Sequence, residues 1–391
     1  MKVAIYNFRE FNPYIGGIER ISVSLAKGLL ERGIEVIFIA VYKSQYKIEY
    51  KIPAIQYFLP NTDTCSKENI ERMRQILQEE KVDILLDQDS HSLVSHNLAY
   101  AAVCKTRVKL VTALHFCPST RLLLYKHPFD RNMFSVKENI VNGMKNLAYR
   151  WPFWHYFLRD QRYHYRKMYE ESDKVVLLSD KFIAEYCKIS ELKEYGKLCA
   201  INNMLSFAYE EQGLNKENRI LFCARMAPQK KPERALYVWK KIYKKMPDWS
   251  LEFVGDGFQL DDLRRLATKM NLERVTFHGF LPPQDFYKKS KIFLMTSDYE
   301  GWCLTLTEAM QYKCVPLVMS TYSSVYDIID DGKNGFLIPN VDCQEMAKKT
   351  YYLATHHAEL DDMAQAAFEK AGMFKAEVIM DKWVKLFKTI L

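Results

Sequence analysis

The alternation of short apolar runs with amphipathic helical segments is the feature that most constrains how this chain can fold. KVAIYNF (2–8) and IEVIFIAVY (34–42) have the length and apolarity of buried strands. Between them, IERISVSLAKGLLERG (18–33) carries apolar residues at helical spacing and stops at a glycine. The same alternation recurs along the chain, and it predicts an α/β fold with parallel sheets and helices on both sheet faces.

One lapse in this alternation divides the chain. SFAYEEQGLNKENR is rich in polar and turn residues, and we place a linker at 206–217. The predicted organisation is therefore two Rossmann-like, doubly wound domains, at 1–205 and 218–373. The chain of 391 residues is long enough for a sizeable core in each. A final amphipathic helix at 374–391 could cap either domain.

A long segment at 119–171 interrupts the first domain. It is too long for a simple strand-to-helix connection, and it is rich in aromatic residues, lysine and arginine. Basic aromatic helices of this kind often lie on anionic membranes or bind extended acceptors. The alternative is an ordinary helical subdomain whose charges face water over its own core.

Composition narrows the classes of partner and compartment. The formal net charge of 56 − 48 = +8 suits acidic small molecules or an anionic membrane face, and no nucleic-acid-binding signature accompanies it. Nine cysteines without a C-x-x-C pair predict no metal site and fit a reducing cytosol. No signal peptide and no membrane-spanning run is evident. We therefore expect a cytoplasmic protein, with attachment to the inner face of the plasma membrane left open.

Two glutamates, Glu300 and Glu308, point to a ligand site beyond the end of a strand. KIFLMTS (291–297) has the character of a buried strand, and a helix begins near Leu304 with Thr305 or Thr307 able to cap it. Ligands of open α/β sheets bind beyond the carboxyl ends of strands, where a helix amino terminus suits a diphosphate. Glu308 can accept two hydrogen bonds from a ribose diol, and Glu300 can accept from the hydroxyls of a second polar group.

Cations and glycines complete this candidate site. CARMAPQKKPERAL places Arg225 and Lys230 on a short turn after a strand, and both can converge on a diphosphate. Gly16 and Gly17 open the first helix and allow the backbone to approach a ligand closely. Their spacing is not G-x-G-x-x-G, so no dinucleotide site is predicted. The two glutamates and the two cations together would suit a ligand with a sugar at each end and phosphate between them. A nucleotide sugar fits this description.

These motifs resemble those of the retaining glycosyltransferases of family 4. EGWCLTLTEAM is similar to their E-x7-E motif, usually E-G-F-G-L-x-x-x-E-A-M, and CARMAPQKK is similar to G-R-L-x-x-x-K-G. GGIER resembles their amino-terminal glycine loop, TALHFCP their strand-end histidine and DDGKNGFLIP their D-G-x-N-G segment. The resemblance runs in order over nearly the whole chain, and the segment 119–171 is the part least matched.

The resemblance implies a GT-B architecture, with two Rossmann-like domains facing across a cleft. The donor would bind mainly to the carboxy-terminal domain and the acceptor to the amino-terminal domain, on which the final helix would pack. Carried over by position, Glu308 would hold the ribose and Arg225 with Lys230 the diphosphate, while Glu300 would face the transferred sugar. Neither a metal nor another cofactor is expected, because cationic side chains take the metal's role in this type of enzyme.

The remaining positions carried over from the family concern the backbone and the facing domain. N–H groups near Cys303, Leu304 and Thr305 would contact phosphate or sugar hydroxyls. Gly17 would lie near the phosphates and His115 near the donor sugar. The candidate catalytic residues are thus Glu300, His115, Arg225 and Lys230. The family suggests front-face displacement with retention at the anomeric carbon, and the leaving phosphate takes the acceptor proton.

We hypothesise that the protein transfers a hexose from a UDP-sugar to a lipid-linked or cell-surface polysaccharide precursor, including lipopolysaccharide. Three departures from the family pattern affect the site: Cys303, Lys231 and Ala224 each replace a usual glycine. The side chain of Cys303 would either narrow the donor pocket or point away from it, so this departure affects which sugar the site can accept. A non-catalytic partner that binds a nucleotide sugar or glycan is an alternative, and the retained cations argue against it. An oxidoreductase is disfavoured because the dinucleotide fingerprint is absent.

Overall fold

A computed structural model describes residues 1–43, 50–126, 136–210 and 213–391. Its chain divides into two compact units. The first comprises Met1–Leu122, His155–Ser206 and Lys375–Leu391, and the second comprises Leu123–Trp154 and Phe207–Phe374. The segment predicted to interrupt the first domain therefore falls partly in each unit. No helix in the described ranges is both long and apolar enough to cross a membrane.

The strands form along the apolar runs of the sequence. In chain order they are β1 Lys2–Arg9, β2 Glu35–Tyr42, β3 Gln56–Phe58, β4 Ile84–Asp87, β5 Lys109–Leu114, β6 Lys174–Leu177, β7 Leu198–Ala200, β8 Glu217–Cys223, β9 Ser250–Val254, β10 Val275–Phe277, β11 Ser290–Met295, β12 Val315–Met319 and β13 Phe336–Ile338. Most are rich in β-branched and aromatic residues, which favour extended backbone.

The α-helices occupy the amphipathic segments between the strands. In chain order they are α1 Gly17–Leu30, α2 Lys67–Glu79, α3 Leu93–Val103, α4 Thr120–Lys126, α5 Val136–Glu171, α6 Asp180–Ser190, α7 Glu233–Ile242, α8 Leu260–Lys269, α9 Gln284–Lys289, α10 Leu304–Gln311, α11 Val325–Ile328, α12 Cys343–Thr355, α13 His357–Ala371 and α14 Ala376–Ile390. Some begin at a capping side chain; the Ser66 side chain, for example, accepts from the Asn69 amide at the start of α2.

The first unit is built on a parallel sheet in the order β3-β2-β1-β4-β5-β6-β7. Strand β1 lies between β2 and β4, with Ile5 opposite both Phe38 and Leu86. The strand order reverses between β1 and β4, so the crevice for a ligand is expected at the carboxyl ends of these two strands. Both faces of β1 are buried, as a parallel sheet covered by helices requires.

The terminal helix α14 packs on α1 within the first unit. A Cβ atom added to Gly28 would lie 2.8 Å from Cγ of Met380, so glycine is what allows the two helices to come this close. Arg32 donates to the Glu377 carbonyl at 3.3 Å and to the Asp381 carboxylate at 3.2 Å. The chain end is thus an integral part of this unit.

The second unit is built on a parallel sheet in the order β10-β9-β8-β11-β12-β13. The order reverses between β8 and β11, where Ile220 lies opposite Ile292. Its core is dominated by large apolar side chains, among them Trp239, Phe222 and Phe253, each at most 2% exposed. This rigid base fixes where the loops at the carboxyl ends of β8 and β11 can lie.

Glycines after β9 allow two loops to meet at backbone distance. Gly255 has φ of +127°, and a Cβ atom there would lie 2.0 Å from the Ala224 carbonyl oxygen. The Met226 amide donates to the Asp256 carbonyl at 2.9 Å. Only glycine satisfies both the positive φ and this close approach, so the segment VGDG holds the loop that follows β8 in place.

Candidate active site

Two predicted loops of the second unit meet where its strand order reverses. The loop after β8 carries Arg225 and Lys230, and the loop after β11 carries Glu300 and Cys303. Because β8 and β11 are neighbouring parallel strands, both loops leave the same edge of the sheet. Strand order, rather than proximity in sequence, brings these side chains together.

Lys230 and Glu300, one from each loop, form an ion pair. Nζ of Lys230 lies 2.6 Å from Oε1 of Glu300, and the side chains are 17% and 7% exposed. Burial lowers the pKa of Lys230, but the Glu300 carboxylate outweighs this effect, so the pKa is raised overall. The ammonium is therefore charged at neutral pH, and removing either partner would leave a largely buried charge uncompensated.

Arg225 adds a second cation at the same place. It is exposed, and it lies close enough to Lys230 that its charge lowers the pKa of the lysine. Two cations and one carboxylate leave an excess of positive charge at the carboxyl edge of the sheet. Such an arrangement suits a diphosphate, which carries more than one negative charge.

A set of polar contacts that the sequence analysis did not single out holds these loops together. The Thr296 hydroxyl donates to the carbonyls of Lys230 and Lys231 at 3.0 and 2.8 Å. Arg234 donates to the Thr296 carbonyl at 2.7 Å and pairs with Asp298 at 2.6 Å. The spacing of Thr296 and Asp298 after the strand was visible in the sequence, but their partners depend on which strands are neighbours.

The start of α10 lies beside the ion pair. Cys303, just before Leu304, has φ of +61°, a conformation that residues other than glycine rarely adopt. Its Sγ lies 3.3 Å from Oγ1 of Thr305, and burial raises the pKa of the thiol to about 11, so the thiol is neutral. No side chain caps α10, and N–H groups at a helix start are a common anion site.

A small pocket connects several of the predicted residues. Lys230, Cys303 and Thr305 contribute to its wall. The other lining residues come from β8, β11 and the turns after them: Phe222, Cys223, Ala224, Phe293, Leu294, Met295, Thr296 and Ser297. The structure thus brings together Arg225, Lys230, Glu300, Cys303 and Thr305 in the second unit.

Glu308 does not line this pocket. Its side chain is fully buried, and the Tyr287 hydroxyl donates to Oε2 of Glu308 at 3.0 Å. Burial, with the nearby Cys223 and Glu308, raises the pKa of Tyr287 well above its usual value, so the hydroxyl keeps its proton. The contact between Glu308 and a ribose stays a prediction, and the structure adds Tyr287 as a residue that helps to orient this carboxylate.

Gly16, Gly17 and His115 lie in the first unit, at the carboxyl edge of its sheet. A Cβ atom on Gly16 would lie 2.5 Å from Oε2 of Glu19, the end of a flexible side chain that can move, so this contact does not by itself require glycine. The side chain of His115 is hydrogen bonded through Nε2 to that of Gln88. Burial, together with His91, lowers the pKa of His115 to about 4, so this histidine is neutral.

A buried acidic cluster, formed by Asp87 and Asp89, lies at the carboxyl end of β4. Asp89 is 6% exposed, accepts from the Ser95 hydroxyl and lies 3.2 Å from Nδ1 of His91. Burial raises the pKa of Asp89 to about 7, with the Asp87 carboxylate acting in the same direction and Ser95 against it. Among the residues that the structure describes, no group of three or more His, Cys, Asp or Glu side chains could hold a metal ion.

Comparison with known families covers both units. The family described as Glycosyltransferase Family 4 matches residues 15–203, and the one described as Glycosyl transferases group 1 matches residues 208–370. The two together account for most of the chain. The protein therefore belongs to the family 4 type of glycosyltransferases.

Individual proteins agree with this family. An uncharacterized glycosyltransferase of Haemophilus influenzae is 23% identical over 94% of this chain and 95% of its own length. An amylovoran biosynthesis glycosyltransferase, AmsD of Erwinia amylovora, is 26% identical over 55% of this chain and 62% of its own length. The crystal structure of HepE from Anabaena in complex with UDP-glucose has a TM-score of 0.75 at 18% identity, covering 100% of both chains. The fold is GT-B, and the protein is a glycosyltransferase.

Proposed function

We propose that this protein is a retaining, metal-independent hexosyltransferase that moves a hexose from a UDP-sugar to a polysaccharide precursor. The observation that carries the proposal is the meeting of Lys230, Arg225 and Glu300 beside the start of α10, where the strand order of the second sheet reverses. Cations and helix N–H groups there suit a diphosphate, and a carboxylate suits sugar hydroxyls.

Cleavage of the sugar–phosphate bond is assisted by the cations. Negative charge grows on the leaving diphosphate as the bond breaks, and Lys230 and Arg225 stabilise that charge in place. The N–H groups of Leu304 and Thr305 at the start of α10 add their dipoles. Because these side chains supply the positive charge, the proposed reaction needs no divalent cation.

Glu300 changes partner when the donor binds. Without donor, its carboxylate neutralises Lys230 at 2.6 Å. A diphosphate competes for the lysine, and the carboxylate then accepts hydrogen bonds from hydroxyls of the sugar. A carboxylate that accepts hydrogen bonds from the sugar hydroxyls is not aimed at the anomeric carbon, which supports front-face displacement with retention rather than a covalent glycosyl intermediate.

Donor and acceptor are proposed from the relatives. HepE, whose structure contains UDP-glucose, supports a UDP-sugar as donor. The amylovoran biosynthesis enzyme supports a polysaccharide precursor as acceptor. The acceptor would bind to the first unit, where His115 is the candidate contact to the donor sugar and Gly16 and Gly17 open α1.

A donor screen tests this proposal. The protein is incubated with UDP-glucose, UDP-galactose, UDP-N-acetylglucosamine and GDP-mannose, with and without EDTA, and released nucleotide is measured. We expect slow hydrolysis of one UDP-sugar that EDTA leaves unchanged and that Lys230→Met abolishes. Once an acceptor is found, NMR of the product should show the anomeric configuration of the donor. Binding without turnover of any donor would instead favour a non-catalytic sugar-nucleotide-binding protein.

A further inference from the structure

Three aliphatic side chains are exposed on one side of α5. Ile140, Met144 and Leu147 are 60%, 60% and 71% exposed. They are four and three positions apart in the sequence, so they form one stripe along the helix. Single exposed apolar residues are common on protein surfaces, but a row of large aliphatic side chains on one helical side marks an interaction surface.

Lysines flank this row. Lys137 precedes Ile140 by one turn and Lys145 follows Met144, and both lysines are exposed. The stretch 136–159 contains one acidic residue and four basic ones: Glu138 against Lys137, Lys145, Arg150 and Arg159. We call Ile140, Met144 and Leu147 with Lys137 and Lys145 the α5 stripe.

We propose that the α5 stripe docks on the surface of an anionic lipid bilayer. A helix with an aliphatic side flanked by lysines lies in the plane of a membrane, with its apolar side chains at the boundary between headgroups and acyl chains. The lysines then lie level with the lipid phosphates, where each increases binding about fivefold. The helix lies on the membrane and does not span it.

Other occupants fit this surface less well. A glycan offers hydroxyls and the flat faces of sugar rings, which polar and aromatic side chains recognise better than a row of aliphatic side chains does. A second copy of the chain docked on this stripe would bring lysines close to lysines of its partner, which is repulsive. An anionic bilayer supplies both an apolar interior and negative charge.

Flotation with lipid vesicles tests the proposal, and it needs neither donor nor acceptor, so its result is independent of the proposed function. The full chain is mixed with vesicles of phosphatidylglycerol and phosphatidylcholine, or of phosphatidylcholine alone. We expect binding to the anionic vesicles that weakens as salt is raised. Ile140→Ser/Met144→Ser/Leu147→Ser should reduce the partition coefficient at least about tenfold, and Lys137→Gln/Lys145→Gln about tenfold or more.

The chain offers a control matched in residue type. Ile55, Met373 and Leu391 are 64%, 59% and 61% exposed, and all lie outside α5. Ile55→Ser/Met373→Ser/Leu391→Ser should leave vesicle binding unchanged, and thermal melts should show that both triple variants fold. Equal losses in the two triple variants, equal binding to both vesicle types, or a lipid-free dimer that only the α5 triple variant abolishes would each overturn the proposal.

Discussion

The ammonium of Lys230 and the carboxylate of Glu300 lie 2.6 Å apart and join the loops that follow β8 and β11. The two residues are 70 positions apart in the sequence. Each neutralises the other in a site that shields both from water. The pair thus leaves neither charge uncompensated. In the proposed mechanism, the diphosphate of the donor would replace Glu300 as the negative partner of Lys230.

Removing Lys230 alone should destabilise the protein. Lys230→Met leaves the Glu300 carboxylate buried without a counter-charge, which should lower the free energy of unfolding by about 3 kcal/mol. Adding Glu300→Gln should recover most of this stability, because no buried charge remains. Donor affinity should not recover, since the cation for the diphosphate is still missing. Urea denaturation and calorimetric titration with UDP measure the two properties separately.

The same variants can contradict the role of Lys230. A Lys230→Met/Glu300→Gln variant that is stable and binds UDP as tightly as the wild-type protein would remove Lys230 from the diphosphate site. Lys230→Arg serves as the control, because it keeps the charge and should retain part of the affinity.

Glu308 is expected to recognise the ribose through its 2′- and 3′-hydroxyls. UDP should bind the wild-type protein about tenfold or more tightly than 2′-deoxy-UDP, since a buried carboxylate loses a hydrogen bond with the deoxy ligand. In Glu308→Ala the two ligands should bind equally weakly. Tyr287→Phe, which removes the 3.0 Å hydrogen bond to Glu308, should keep a preference for UDP at reduced affinity.

A wild-type protein that binds both ligands equally would show that Glu308 has a structural role only. In that case Glu308→Gln should retain turnover, and its effect should be confined to the free energy of unfolding. Calorimetric titration with the two nucleotides separates these outcomes without an acceptor.

The fold and its family were predictable from the sequence because both depend on local patterns. Apolar runs such as the one in β11 identify strands, and the motif around Glu300 identifies the loop that follows. The two parallel-sheet α/β domains and the GT-B fold are confirmed. The ion pair between Lys230 and Glu300 was not predicted, because it depends on β8 and β11 being neighbours, and periodicity does not report strand order.

The burial of individual polar groups could also not be predicted from the sequence. Glu308 was expected to face a ligand, and its hydrogen bond with Tyr287 depends on α9 and α10 both packing against β11. The sequence alone does not show that Asp89 is buried, because its contacts with Asp87 and Ser95 depend on the folded chain. Tertiary packing decides such environments.

Cys303 should react slowly with alkylating agents at neutral pH. Its pKa of about 11 means that the thiolate is scarce, and reactivity should be about a hundredfold below that of a free thiol. The rate should keep rising about tenfold per pH unit past pH 9, where an ordinary thiol levels off. Iodoacetamide labelling followed by peptide mass spectrometry measures this rate. A rate that is already maximal near neutral pH would mean that Lys230 stabilises a thiolate at this position.

The Asp89 carboxyl should make the stability of the first unit depend on pH. Burial raises its pKa from 3.8 to about 7, with Asp87 and Glu19 acting in the same direction and Ser95 and Arg9 against it. The folded protein therefore holds a proton that the unfolded chain releases. The contribution of Asp89 to the free energy of unfolding is fully present below the pKa of this group in the unfolded chain, 3.8, and it is lost as pH rises through about 7.

Asp89→Asn removes that titration and keeps the shape of the side chain. Between about pH 4 and pH 8, the free energy of unfolding of Asp89→Asn should rise relative to wild type by up to about 4 kcal/mol. Urea denaturation at several pH values gives both curves, and taking their difference cancels the contributions of histidines that do not contact Asp89. Asp83→Asn is the control, because Asp83 is only partly buried and its side chain accepts from the Lys2 amide at 2.8 Å. Parallel curves for Asp89→Asn and wild type would mean that Asp89 is ionised throughout this range and that His91, 3.2 Å away, stabilises its charge.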